Sequence, residues 1–312
     1  MSGHLALESR NERRQGFTLV ELLVTVVVIG ILASIVLGAL QVARETARIA
    51  KTRTTIAKID KVIAEQYESY RVRRVPVDSS WDPKAASVAK VNLLRDLMRM
   101  EMPDRWSDVT GGPLLYPRTP SRTLAFQAVY ARAVAATNAA TVENYGAAKL
   151  LYLIVMAGPG RDFHWQETEV GSPDADGLRV FVDGWGRPIR FIRWPAGFLP
   201  KYEGQTDIQL DDTTADTFDP QRRCPGYYTY PLVYSAGPDG LFDINIGKNS
   251  DESTYAYKLD SSTPKNLDPC QIDGQGKLIG LPLDSKGPNG EASNGRLDHY
   301  DNITNHRIQG NK

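Results

Sequence analysis

Cysteine is almost absent from this 312-residue chain, which has two, Cys224 and Cys270; histidine is scarce at four, and net charge is zero, with 37 Lys and Arg against 37 Asp and Glu. Two cysteines cannot staple a disulfide-rich scaffold, and neither has partners at the spacings a zinc site uses. The balanced charge lacks the basic excess of a nucleic-acid binder, so no direct nucleic-acid partner is expected. Also missing are the nucleophile elbow G-x-S-x-G, the phosphate-binding G-x-x-x-x-G-K-[ST] and the metalloprotease H-E-x-x-H. His4, His164, His299 and His306 are scattered along the chain; His299 and His306 could sit close in space, but surface positions are expected for them. No catalytic constellation emerges, and the chain is read as a non-enzyme. Trp81, Trp106, Trp165, Trp185 and Trp194 read as core or turn packing rather than a binding platform. What is present, 41% hydrophobic residues, suffices for a real core in one large domain or two ordinary ones and rules out disorder of the whole chain.

The membrane signal is concentrated near the amino terminus. Residues 17–40, FTLVELLVTVVVIGILASIVLGAL, contain a single charge, Glu21. As a helix the run spans about 36 Å, enough to cross a hydrocarbon core of roughly 30 Å with some tilt. It is too long for the apolar part of a secretory signal peptide, and the helical pattern continues past it. Arg10, Arg13 and Arg14 precede the run while Arg44 and Arg48 follow it, so charge counting alone leaves its orientation open. Glu21 is the informative residue. A carboxylate in such a segment costs on the order of 2.5–3.5 kcal/mol on insertion scales, and it calls for a partner or a function. It lies one helical turn beyond Phe17, where a chain cut after Gly16 would expose a new ammonium.

The stretch Arg13-Arg14-Gln15-Gly16-Phe17-Thr18-Leu19-Val20-Glu21 resembles the prepilin cleavage and methylation signal of type IV pilins and type II secretion pseudopilins. The resemblance implies that a prepilin peptidase/methyltransferase cuts between Gly16 and Phe17 on the cytoplasmic side and N-methylates Phe17. It implies that Glu21 neutralises the amino terminus of a neighbouring subunit during assembly. The partners implied are other pilin or pseudopilin subunits and an inner-membrane assembly platform. The implied placement is a single pass through a bacterial inner membrane, with the leader, residues 1–16, cytoplasmic and the remainder periplasmic or extracytoplasmic.

Beyond the span, Ile49, Ile56, Ile59, Ile63, Tyr67 and Tyr70 recur at helical intervals. No Gly or Pro interrupts residues 39–75, and Pro76 is the first strong stop. One helix is expected over about residues 17–73, with a transmembrane half, residues 17–40, and a soluble half, residues 41–75; Gly30 and Gly38 are possible soft points. Residues 82–157 read as a helical insertion. Asp82-Pro83 gives a cap and first turn, with Val88, Val91, Leu94 and Leu97 following at helical spacing until Pro103. An alanine-rich helix is expected from Ser121 to about Ala140, and residues 145–156 read as an apolar helix or a short buried strand.

From Gly158 the composition turns to Gly, Pro, Asp and Asn, and residues 158–312 read as a β-rich, loop-rich domain. Residues 178–182 and 188–193 read as two strands of a hairpin closed by Asp183-Gly184-Trp185-Gly186-Arg187, and residues 228–235 as another strand. This strand leads into Ser235-Ala236-Gly237-Pro238-Asp239-Gly240-Leu241-Phe242-Asp243. The order is similar to the carboxy-terminal part of major type II pseudopilins, where a D-P-W-G-N-P turn precedes an S-x-G-x-D-G loop that binds calcium with later aspartates. The resemblance implies calcium held by Asp239, Asp243, Asp298 and Asp301, with the carbonyls of Leu232 and Ser235 as further candidates. Oxygen-rich, irregular loops suit that ion, although Asp-Gly pairs are also ordinary turn material. Gly184 stands where the family has proline, and residues 244–297 separate two aspartate elements that compact relatives keep close. Outside the cytoplasm, Cys224 and Cys270 are expected to pair; closing a loop of about 45 residues contributes roughly 4 kcal/mol.

The fold expected is therefore α+β and pilin-like: a long amino-terminal helix, half transmembrane and half soluble, on a small antiparallel sheet, with a helical insertion and a loop-rich carboxy-terminal region. The function expected is that of a filament subunit. A signal-anchored extracytoplasmic binding protein or enzyme, not assembled into filaments, is the alternative.

Overall fold

A computed structural model describes residues 17–77, 80–110, 124–136, 145–172, 177–195, 218–219, 229–242, 244 and 302–308. The chain divides at Thr46/Ala47 into two compact units. One helix, α1 (Leu19–Ser69), belongs to both, and a single 3-10 turn, Tyr70–Val72, follows it. The helix passes through Gly30 and Gly38 without a break, and neither glycine has a neighbour that a side chain would meet.

In the first unit the apolar side chains of α1 are solvent-facing on every side, from Leu19 to Val42, and an 18-residue stretch reaches a mean hydropathy of 2.8. The polar side chains of this stretch turn back on their own helix. Thr25 Oγ1 donates to the Leu22 carbonyl at 2.8 Å and Ser34 Oγ to the Ile31 carbonyl at 2.7 Å. Hydroxyls bonded in this way carry no unmet polar group into a hydrocarbon layer.

In the second unit α1 buries Thr52, Thr55, Ile56, Ile59, Val62, Ile63 and Tyr67, the three- and four-residue spacing of one helical face, while Arg53, Thr54, Ala57 and Lys61 stay exposed. Four helices lie between α1 and the strands among the described residues: α2 (Pro83–Glu101), α3 (Trp106–Thr110), α4 (Leu124–Ala136) and α5 (Gly146–Ala157). Asp82 caps α2, its Oδ2 accepting the Lys84 amide at 3.1 Å with Pro83 in the first turn. Every residue from Val91 to Glu101 is buried, charged ones included, so this half of α2 is covered on all sides. The segment 145–156, open between helix and strand in the sequence, is the helix α5, which packs on α4 and on the strands below it.

The strands form two antiparallel sheets. β1 (Val170–Gly171) pairs with β2 (Val180–Phe181), and β3 (Arg190–Ile192), β4 (Leu232–Ser235) and β5 (Ile303–Thr304) form the other, in the order β3-β4-β5. Phe191 lies opposite Val233, and Tyr234 opposite Thr304. The hairpin expected between residues 178–182 and 188–193 exists only beside its turn. One bridge pairs Val182 with Pro188, the Ile189 amide reaches the Phe181 carbonyl at 2.9 Å, and β2 and β3 then part into different sheets. Pro188 sits at a non-hydrogen-bonded position of this pair, flanked by the Asp183 amide donating to the Arg187 carbonyl at 2.9 Å, so its missing amide costs the pairing nothing.

The carboxy-terminal helix α6 (Asn305–Ile308) is tied down by Asn305. Its Oδ1 accepts the Val233 amide at 2.9 Å, and its Nδ2 donates to Asp60 of α1 at 2.7 Å and to the Pro231 carbonyl at 3.0 Å. His306 is buried, its Nε2 3.1 Å from the Pro231 carbonyl and its ring 5.5 Å from that of Tyr230, which corrects the surface position expected for it. His164 is exposed. Trp194 is buried, and Trp106, Trp165 and Trp185 pack against the core, whereas Trp81 is exposed.

Candidate functional site

Two places carry the chemistry singled out in the sequence. The first is the start of α1. Phe17 is 86% exposed and immediately precedes the helix. Thr18 and Glu21 close a reciprocal capping box. The Thr18 amide and hydroxyl both donate to Glu21 Oε2 at 2.9 Å, and the Glu21 amide donates back to Thr18 Oγ1 at 3.2 Å. Two of the amides left unpaired at a helix start are satisfied this way, and the carboxylate adds favourable charge at the positive end of the helix. Thr18 caps the helix, a role that the resemblance to the cleavage signal does not imply. The T-x-x-E spacing before an apolar run is the signal that identifies it. Gly16 lies outside the described residues.

The second place is the turn at residues 183–187 with the loop that follows β4. Asp183 is buried and works with both carboxylate oxygens. Oδ1 accepts the amides of Trp185 and Arg187, each at 2.9 Å, and Oδ2 accepts the Ser235 hydroxyl at 2.7 Å. Ser235 Oγ in turn accepts the Gly237 amide at 3.2 Å. Asp183 thus shapes its own turn and fastens it to the start of the loop. On the other side the Gly184 amide donates to Thr52 Oγ1 of α1 at 2.8 Å. Within the loop, Asp239 Oδ1 accepts the Leu241 amide at 2.8 Å, and the guanidinium of Arg190 lies 3.9 Å from the ring centre of Phe242. Asn302, just before β5, donates to the Phe242 carbonyl.

Of the calcium ligands implied by the resemblance, only Asp239, Leu232 and Ser235 are described; Asp243, Asp298 and Asp301 lie outside the described residues, as do Cys224 and Cys270. Asp239 is exposed, and one of its oxygens is taken by the loop backbone. The carbonyls of Gly237 and Pro238 face the guanidinium of Arg187, at 2.7 Å from Nη1 and 3.5 Å from Nη2. Among the described residues no group of three or more His, Cys, Asp or Glu side chains comes together to hold a metal. In the described part of the loop a guanidinium thus occupies the Gly237 and Pro238 carbonyls. Arg187 stands where the resembled turn has asparagine.

A further polar centre joins the insertion to the sheet. Arg193, wholly buried just past β3, donates from Nη1 to the carbonyls of Arg99 and Met102 at the end of α2, at 3.2 and 2.7 Å. Both of its terminal nitrogens lie 3.2 Å from Asp108 Oδ2, and Nη2 lies 3.1 Å from Asp104 Oδ1. Burial pushes the Asp108 carboxyl up to about 6, with Asp104 adding to the shift and the Arg193, Arg105 and Arg99 charges opposing it. Glu101 is a second buried hub, receiving Tyr70 at 3.0 Å and Arg73 at 2.8 Å. Burial, with the Glu101 charge next, raises the Tyr70 hydroxyl well above its usual range. The first centre joins α2 and α3 to β3, and the second joins α1 and the residues after it to α2.

Comparison with known proteins gives one result. Residues 12–37 match the model of the prokaryotic N-terminal methylation motif. No curated protein and no solved structure matches the chain. The amino-terminal segment is therefore a prepilin-type signal, and the chain is a type IV pilin-like, membrane-anchored substrate of a prepilin peptidase, with an α+β architecture consistent with a pilin-like fold.

Proposed function

We propose that the chain is a structural subunit, and not an enzyme, of a type II secretion pseudopilus or type IV pilus-like filament assembled from the inner membrane. The observation that carries this reading is the methylation motif over residues 12–37, with its glutamate in the first turn of a long helix whose apolar surface is exposed all round. A surface that apolar needs either lipid or other helices. Lipid covers it before assembly; neighbouring copies cover it afterwards, through head-to-tail contacts that do not close. In the filament Glu21 leaves the Thr18 box and meets the ammonium that cleavage exposes on the next subunit. The leader is cytoplasmic and the carboxy-terminal unit periplasmic, where a Cys224–Cys270 disulfide is stable. The likeness to major type II pseudopilins is supported by the way the Asp183 turn and the Ser235 loop, its two diagnostic elements, are bonded to each other.

The test is co-expression with a prepilin peptidase and an assembly system, followed by shearing and electron microscopy. Filaments that contain this chain, and are lost with Glu21→Ala while the protein still reaches the membrane, are expected. A processed chain that never leaves the membrane, with or without Glu21, favours the signal-anchored alternative.

A further inference from the structure

The turn at residues 183–187 and the loop at 235–242 meet around one charge, and the charge is the protein's own. The Arg187 amide is fixed by Asp183 Oδ1, and its side chain crosses to the loop, where Nη1 donates to the Gly237 carbonyl at 2.7 Å and Nη2 lies 3.5 Å from the Pro238 carbonyl. The guanidinium lies against Gly240. A β-carbon on Gly240 would come within 2.6 Å of Cζ, 2.7 Å of Nη1 and 2.9 Å of Nη2. Gly237 and Gly240 have φ of 67° and 84°, so the chain turns around the guanidinium at two corners that disfavour side chains.

Irregular loops that aim carbonyl oxygens at one point are how proteins hold hard cations. We propose that Arg187 is the resident cation of the 235–242 loop, closing it in place of a metal ion. Two features of this chain agree with that role. The side chain stems from a turn that Asp183 holds rigid, so little freedom is lost in placing the fork. A divalent ion brought to the Gly237 and Pro238 carbonyls would meet a fixed positive charge. The inference departs from the calcium expected by resemblance and stands whether or not the chain assembles into filaments.

The test is thermal unfolding of the full chain in detergent, with a chelator or with millimolar calcium, for the natural protein and for Arg187→Gln, Arg187→Lys and Asp239→Asn. The natural protein is expected to melt at the same temperature in both buffers. Arg187→Gln is expected to lower the melting temperature by about 3–8 °C in chelator, with Arg187→Lys losing less because the charge is kept and the fork is not. Rapid cleavage of Arg187→Gln in the 235–242 loop by a protease, where the natural protein resists, gives the same reading if the melting transition is too broad to score. A calcium-induced rise in the natural protein that Asp239→Asn abolishes overturns the proposal. So does an Arg187→Gln variant that melts and resists protease like the natural chain.

Discussion

Gly184 lies against the backbone of Arg48: a β-carbon on Gly184 would come within 2.7 Å of the Arg48 α-carbon and closer still to its carbonyl oxygen. Helix α1 and the 183–187 turn are therefore in backbone contact, with the Gly184 amide donating to Thr52 as well. Gly184→Ala is expected to cost roughly 1–3 kcal/mol, the usual range for overpacking a closed site. Gly184→Pro, which restores the family-like residue, is expected to cost more, because the ring adds bulk and the amide that Thr52 accepts is gone. Denaturant titration of the two variants in detergent checks the order. A proline variant as stable as the natural chain would contradict this packing.

Arg193 links the end of α2 to β3 through two carbonyls and two carboxylates. Arg193→Met is expected to destabilise by about 3–5 kcal/mol, since Asp104 and Asp108 stay buried without their shared partner. Asp108→Asn keeps an oxygen for Arg193 and is expected to cost much less. Unfolding free energies of the two variants test the difference; equal losses would mean that volume and not charge holds the junction.

Asp108 also sets a sign for the pH dependence. Its folded carboxyl keeps a proton up to about pH 6, where the unfolded one releases it near 3.8. Between those values the folded state binds more protons, so this group's contribution is fully present below about pH 3.8 and is lost as pH rises to about 6. Subtracting the Asp108→Asn stability curve from that of the natural protein is expected to give a difference that falls across this window and is flat above it.

Glu169 is expected to act in the opposite sense. Burial pushes its carboxyl up, but the hydrogen bonds from Lys58, the Gln166 amide and Thr55 outweigh burial and hold it below the usual value. A depressed folded value means stability that is present above pH 4.5 and lost as pH falls below it. Glu169→Gln is expected to lower stability at pH 7 by roughly 1–3 kcal/mol, with the gap to the natural protein closing in acid. A gap that stays constant down to pH 3 would remove the charge from the explanation.

The amino-terminal signal was legible because it is local: a basic leader, Gly16, Phe17 and Glu21 lie within a few residues of one another. The long helix was legible for the same reason, since nothing between residues 39 and 75 interrupts it, and it ends at Ser69 with only a 3-10 turn before Pro76. The strands were legible only roughly. β1 and β5 have two residues each, too few to show alternation, and exist because a neighbouring strand completes them. The partnership of Asn305 with Asp60 and the burial of His306 join parts of the chain separated by more than 70 residues, and no local pattern encodes them. Arg187 was visible as a departure from the resembled turn, but its meaning depends on Gly237 and Gly240 arriving from another strand.

The most direct measurement is the intact mass and terminal peptide of the chain recovered from membranes that contain a prepilin peptidase. A mature protein beginning at N-methylated Phe17 is expected, and a non-cleavable Gly16 variant is expected to keep its leader. A natural chain that retains Met1, or one that begins beyond residue 40, would contradict the reading of this protein as a pilin-like subunit.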